Sequence, residues 1–352
     1  MKERLESLIN KFDNSNMFEV LVNYPNQFNE SFVISETINN EIIDFNFNRV
    51  IFLGMGGSAI SGEIISNLLY ELNSGIEVIV NRNYYYNGRI DENTLIIVSS
   101  YSGNTEETLT ALNSLLTKTK NIVSVSTGGK LKDISKANNL SFVELPGGLQ
   151  PRCALLYSLF VNLSIVLKSE FISAENKSII ANSIDEIKSS ISKWTKQFSI
   201  FEENNKALKL ADSLLNKTAV IYSSSRLSAV NLRWRGQIQE NAKVPAFGNI
   251  IPEMNHNEIN AWDSDSFKNS FKVFIMEDGD EYDRTKKRMV YLKELIGNNV
   301  DAETIDLSSK TYFARILELI VLGDWVSFYL ALLLEKDPTV IPLITELKEK
   351  LS

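Results

Sequence analysis

The sequence predicts an α/β protein of two domains, each a mostly parallel sheet flanked by helices. Three observations predict it. Short apolar runs alternate with stretches of helical period, both halves of the chain repeat that alternation in outline, and 352 residues exceed what one compact core ordinarily holds.

Each element has its own signal. Arg49–Leu53 reads as a buried strand that breaks at Gly54-Met55-Gly56-Gly57-Ser58, and Ile60, Ile64, Leu68 and Leu72 then recur at helical spacing. Ile76–Val80 and Thr94–Val98 are further strands. The second of these runs into Ser99-Ser100-Tyr101-Ser102-Gly103-Asn104-Thr105, and Glu106–Leu116 looks helical. Ile122–Val125 and Leu140–Leu145 complete the strands of the first half, while Cys153–Leu167 is apolar enough to be a helix packed on the sheet. After a polar helical connector the pattern recurs. Ala219–Tyr222 is a strand broken by Ser223-Ser224-Ser225, and a helix is expected from about Leu227 to Asn241. Lys272–Met276 and Ala302–Leu307 are strands around a helix at Tyr282–Ile296, and Phe313–Leu334 is a long apolar helix without proline. The expected division is 1–170 for the first domain with an N-terminal helical extension, 171–205 for the connector, and 206–352 for the second domain with its C-terminal helices.

Composition narrows the classes of function. With 44% hydrophobic and 23% charged residues the chain is ordinary for a globular protein. A formal net charge of −8 without any lysine/arginine block argues against a nucleic-acid partner. No apolar run is read as long enough to span a bilayer and no signal peptide is evident, so no membrane partner and a cytoplasmic location are expected. The lone Cys153 cannot form an internal disulfide, which suits a reducing compartment. One histidine and one cysteine cannot supply the usual zinc sets. Neither a metal site nor a cofactor is therefore expected, although a magnesium site of carboxylates and water stays open.

Two constellations carry chemistry. Ligands of open α/β sheets sit beyond the carboxyl ends of the strands, and both glycine/serine breaks of the first half fall there. Glycine lets backbone approach an anion, and the following helix offers unpaired N–H groups. Ser58, Ser100, Ser102 and Thr105 add hydroxyl donors, and Arg152 can add a charge-assisted bond to the same phosphate. Serine and threonine before a helix are also ordinary N-caps, so each piece alone is weak. The dinucleotide-binding fingerprint is a poor fit, because Ala59 stands at the last glycine position.

The second constellation is acid–base. Leu227, Val230, Trp234 and Ile238 form an apolar stripe, with Arg233, Gly236 and Glu240 along a different face. Gly236 leaves room beside Glu240, and the negative end of the helix dipole disfavours the ionised carboxylate, which suits a general base. A solvated glutamate is the plain alternative. His256, the only histidine, follows in Glu253-Met254-Asn255-His256-Asn257-Glu258 and is the one side chain whose ordinary pKa allows proton exchange near neutrality. By itself it reads as readily as a surface or interface histidine.

These motifs, in this order, resemble the bifunctional phosphoglucose/phosphomannose isomerase family. It belongs to the phosphoglucose isomerase superfamily and has two sugar-isomerase (SIS) domains. The resemblance rests on Gly54–Ala59, Ser100–Thr105, Pro151-Arg152, Glu240-Asn241-Ala242-Lys243 and Glu253–Glu258, and runs from about Asn48 to the C-terminus. It implies that Gly57, Ser58, Ser100, Ser102, Thr105 and Arg152 hold the 6-phosphate of a hexose. Glu240 would then move a proton between the first two sugar carbons through an enediol. His256 would assist ring opening, reaching the neighbouring subunit of a homodimer whose active sites lie at the interface. A C-terminal lysine also takes part in the family; Lys348 matches best, with Lys350 close by, and Thr339 is a candidate small residue near the C-terminal wall of the site, where dual use of two aldoses needs room for the enediol to rotate. Gln150–Leu155 departs from the more alanine- and glycine-rich form of the family. A non-catalytic sugar-phosphate sensor of the same fold would need the serine loops but neither Glu240 nor His256.

Overall fold

A computed structural model describes residues 2–38, 43–200, 202–267 and 269–351. In chain order the elements begin with α1 (Lys2–Phe12), α2 (Met17–Val22), α3 (Tyr24–Glu36), β1 (Arg49–Leu53), α4 (Gly56–Glu71), β2 (Glu77–Asn81) and β3 (Thr94–Ser99). Next come α5 (Glu106–Leu115), β4 (Ile122–Ser126), α6 (Gly129–Ala137), β5 (Ser141–Glu144), α7 (Leu155–Val166), α8 (Ala174–Phe198), α9 (Lys206–Ser213) and β6 (Thr218–Ser224). The chain finishes with α10 (Ser228–Gln237), β7 (Ala246–Ile251), β8 (Phe271–Met276), α11 (Asp283–Ile296), β9 (Asp301–Ile305), α12 (Tyr312–Leu333) and α13 (Pro342–Leu351). They form two compact units: Tyr24–Lys188, and the chain up to Asn23 together with Ser189 onward.

The Tyr24–Lys188 unit is built on a parallel sheet of order β2-β1-β3-β4-β5. Val50–Leu53 and all of β3 are buried, as strands covered on both faces must be, which is why both read as unbroken apolar runs. One face packs Ile51, Leu53, Ile96 and Val98 against Leu109 and Leu112 of α5. On the other face α4 sits close to β1; a Cβ at Gly62 would lie 2.8 Å from the Phe52 ring. α7 then joins α4 and α3, with Phe28 and Phe160 edge to face at 4.8 Å.

The other unit carries a parallel sheet of order β7-β6-β8-β9. The sequence reading missed β7. It is an edge strand, half exposed and interrupted by Gly248, so it lacks the continuous apolar run of its neighbours. That glycine is required, because a Cβ there would come within 2.3 Å of the Ile221 carbonyl oxygen.

Two further expectations change. α12 is long and apolar enough to cross a bilayer by length and composition, contrary to the reading that no such run exists. Its apolar window is 94% buried, so α12 is a core helix. Of the N-terminal helices, read as an extension of the first domain, α3 packs on α7 of that domain, whereas α1 and α2 pack on α12, with Phe18 edge to face against Trp325 at 5.7 Å. Burying Phe18 supplies the reason: its ring fills the aromatic layer formed by Trp325 and Phe328.

Candidate active site

In the Tyr24–Lys188 unit the strand order reverses between β1 and β3, the place where open α/β sheets bind ligands. The two loops expected to hold phosphate leave these strands side by side. A Cβ at Gly54 would stand 2.9 Å from the Ser99 carbonyl oxygen, and the backbone N–H of Tyr101 donates to Ser58 Oγ at 3.2 Å. A third segment closes the group. The short 3-10 turn Pro151–Cys153 lies against the start of α4, so that a Cβ at Gly57 would be 3.0 Å from the Pro151 carbonyl oxygen and 3.4 Å from Arg152 Cα. Gly57, Ser58, the Ser100–Thr105 loop and Arg152 are thus brought together.

Several hydrogen-bond donors stand at this end of the sheet. Ser58 is buried and accepts from Tyr101, which leaves its own O–H as a donor. Ser100 Oγ and Thr105 Oγ1 are 2.9 Å apart; one of the two hydroxyls donates to the other, and one O–H remains. The first turn of α4 offers N–H groups without an intrahelical acceptor, at the positive end of the helix dipole. Arg152 is buried at 4% exposure, and Ser102 is exposed at the tip of its loop.

The loop shape is fixed by glycine and by a tyrosine that sequence reasoning overlooked. Gly103 has φ +66°, and a Cβ there would lie 1.9 Å from the Gly128 carbonyl oxygen, so only glycine fits. Tyr101 is buried, donates to the Pro146 carbonyl at 2.8 Å and accepts from the Leu149 N–H at 3.2 Å. It ties the serine loop to the segment that leads into Arg152. Burial pushes its hydroxyl above the usual tyrosine range, so it stays a donor. Its only sequence signal was its place between Ser100 and Ser102.

Glu240 belongs to the other unit. The expected helix from Leu227 to Asn241 is not uniform: α10 ends at Gln237 and Ile238–Ala242 form a π turn, closed by Lys243 at φ +58°. Such turns recur at functional sites because they re-aim one side chain against the helix axis. Leu227, Val230, Trp234 and Ile238 are buried as expected. Arg233 departs from the expected face. It is 4% exposed and ion-paired to Asp324 at 2.7 Å, because a guanidinium inside the core needs a carboxylate. Gly236 and Glu240 are partly exposed, and a Cβ at Gly236 would meet nothing within 4 Å.

His256 is exposed and ends the 3-10 turn Glu253–His256 after β7. The segment is held by Met254 and Trp262, which join Val220, Tyr222 and Met289 in one cluster, and by Glu258, which accepts from Tyr222 Oη at 2.6 Å and Asn249 Nδ2 at 2.7 Å. Burial first, and then the bond to Glu258, hold the Tyr222 hydroxyl well above its usual range. α10 packs on the opposite face of this sheet, where Trp234 meets Phe274 and Asn231 Nδ2 donates to the Ile221 carbonyl at 2.9 Å. The sheet therefore stands between the elements that carry Glu240 and His256.

Lys348 and Lys350 lie on α13, which has no buried residue; Lys350 pairs with Glu346 at 2.7 Å and Lys348 faces solvent. Thr339 is buried. Among the described residues no three His, Cys, Asp or Glu side chains are placed to hold a metal ion.

Two parallel sheets with a hydroxyl-and-glycine cradle at a strand-order reversal define a protein of the SIS-domain class. Residues 45–144 match the SIS domain family, and residues 203–351 match the family described as the bacterial phospho-glucose isomerase C-terminal SIS domain. The bifunctional phosphoglucose/phosphomannose isomerase of Caldicellulosiruptor bescii is 36% identical, covering 96% of this chain and 99% of that one. The protein of the same name from Aquifex aeolicus is 30% identical over 87% of this chain and 91% of its own. A putative phosphosugar isomerase from Clostridium difficile superposes with a TM-score of 0.68 at 20% identity, over 95% of this chain and 97% of that one, which speaks for the fold alone. The chain belongs to the bifunctional phosphoglucose/phosphomannose isomerase family and is an enzyme of the isomerase class.

Proposed function

We propose that this protein interconverts glucose 6-phosphate and mannose 6-phosphate with fructose 6-phosphate through an enediol, as a cytoplasmic homodimer and without a metal. What supports the reading is the cradle: Gly57, Ser58, Ser100, Thr105 and Arg152 come from three adjoining segments at the carboxyl end of a parallel sheet, with Ser102 at the exposed tip of the same serine loop. Neutral hydroxyls and amides with one arginine suit a dianion that must both bind and leave. Glu240 takes the proton from the second carbon of the open aldose while the carbonyl oxygen on the first carbon gains one from water, giving the enediol. The same carboxyl then delivers its proton to the first carbon as the second hydroxyl returns its proton to water and becomes a ketone. Return of the proton to the other face of the second carbon yields the epimeric aldose, which accounts for dual use. His256 opens the ring by moving a proton from the anomeric hydroxyl to the ring oxygen. Because the sheet separates its segment from α10, it serves the site of the partner subunit, with Lys348 at the wall of the site.

The test is Glu240→Gln, which keeps the shape and removes the base. Turnover of all three hexose phosphates should fall by about 10²–10⁴-fold while fructose 6-phosphate still binds. Near-normal turnover in that variant rejects the base, and a wild-type chain that binds fructose 6-phosphate without converting it is a sensor instead.

A further inference from the structure

α10 and the π turn that follows it are clamped to α12 by a line of buried polar side chains. Arg233 Nη2 donates to Asp324 Oδ2 at 2.7 Å, and Gln237 Nε2 donates to Asp324 Oδ1 at 2.8 Å. Four residues further on, Asn241 Nδ2 donates to Ser327 Oγ at 2.9 Å, and that hydroxyl donates back to the Asp324 carbonyl at 2.9 Å. All five residues are 4% exposed or less. The helices approach closely because residue 323 is glycine; a Cβ there would sit 2.3 Å from Trp234 Nε1.

Asp324 is the only charged residue between Leu319 and Leu334 of an otherwise apolar core segment. A buried ion pair adds little net stability over a well-packed apolar pair, so stability alone does not account for it. What charge-assisted bonds do supply is geometry, since they are short and directional. Here the charge-assisted bond to Gln237 grips the chain before Glu240, and the neutral bond from Asn241 to Ser327 grips it after. A π turn departs from the regular ladder and has more than one way to relax, so the direction of its side chains depends on what pins it.

We propose that Asp324 is a positioning residue which, with Ser327, locks the π turn and so aims the Glu240 carboxylate at the carbon-bound proton. Asp324 touches no substrate; its carboxylate acts through Gln237, and its backbone carbonyl through Ser327 and Asn241. The inference rests on the reading of Glu240 as the base.

Asp324→Asn keeps the volume and removes the charge. Its kcat on fructose 6-phosphate should fall roughly tenfold to a hundredfold, as a misplacement of about 1 Å does, with KM changed less than about twofold because the phosphate cradle is untouched. Placed on the Glu240→Gln background, Asp324→Asn should cause no further loss, since there is no base left to aim. Equal losses in both backgrounds overturn the proposal, as does a lowered melting temperature with kcat intact. Should Asp324→Asn not fold, Ser327→Ala removes the acceptor of Asn241 and the hydroxyl's bond to the Asp324 carbonyl, and leaves the Asp324 carboxylate in place. It should lower kcat severalfold with the same non-additivity, and an unchanged kcat overturns the proposal. Normal turnover by Glu240→Gln alone is a different failure, that of the base itself.

Discussion

Between β1 and β3 the strand ends carry glycine and free hydroxyl hydrogens; between β6 and β8 the corresponding ends carry arginine and aspartate. Both are points where the strand order reverses. In the first unit the crevice offers donors to an incoming anion, from Ser58, Ser100 and Thr105. In the second the anion is already part of the chain. Asp278, fully buried, is ion-paired to Arg226 at 2.7 Å and to Arg315 at 2.5 Å, and Arg226 stacks on Tyr312 with 4.5 Å from guanidinium carbon to ring centroid. Under the proposed function, the same topology gives one crevice that receives a phosphate and one filled by an internal carboxylate. Topology supplies the position, and the side chains decide whether it is a site.

The contrast can be broken at three points. The largest effect is expected from Asp278→Ala, which removes the buried carboxylate shared by Arg226 and Arg315, leaves Arg315 its more exposed partner Asp280, and should cost about 3–5 kcal/mol in urea unfolding. Added inorganic phosphate should return part of that loss by taking the vacated position. Unfolding identical to the wild type would mean that the carboxylate does not seal the crevice. Next is Ser58→Ala, which removes a hydroxyl donor to a charged group and should weaken fructose 6-phosphate binding by about 1.5–3 kcal/mol, read as a KM raised tenfold or more. An unchanged KM would place the phosphate elsewhere. The smallest is Ser224→Ala at the end of β6, where the buried hydroxyl has no hydrogen-bond partner. It should leave KM unchanged and shift stability by less than about 1 kcal/mol, in the favourable direction. A raised KM there would show that the second crevice also serves substrate.

What could be read from the sequence follows how local the physics is. The cradle was legible because glycine, serine and a following helix are contiguous in the chain, and the requirement at Gly103 is met by a neighbour only 25 residues away, Gly128. The central strands were legible because burial on both faces leaves no polar position. Arg233 was misplaced because its partner, Asp324, is 91 residues distant and no periodicity announces it. The π turn escaped for the same reason: its restraints come from α12. β7 escaped because an edge strand needs little apolar character. His256 and Glu240 were each recognisable by chemical type, while their separation by a sheet depends on which face each connecting segment crosses.

The packing of α12 bears on how the chain is made. Its receptors in this unit, α1, α2, α9, α10 and the π turn, all precede it in the sequence. Translation runs from the N-terminus, so the ribosome releases this greasy segment only after the surfaces that will cover it already exist. A stretch that could pass for a lipid-seeking span is thereby withheld until the nascent molecule can swallow it.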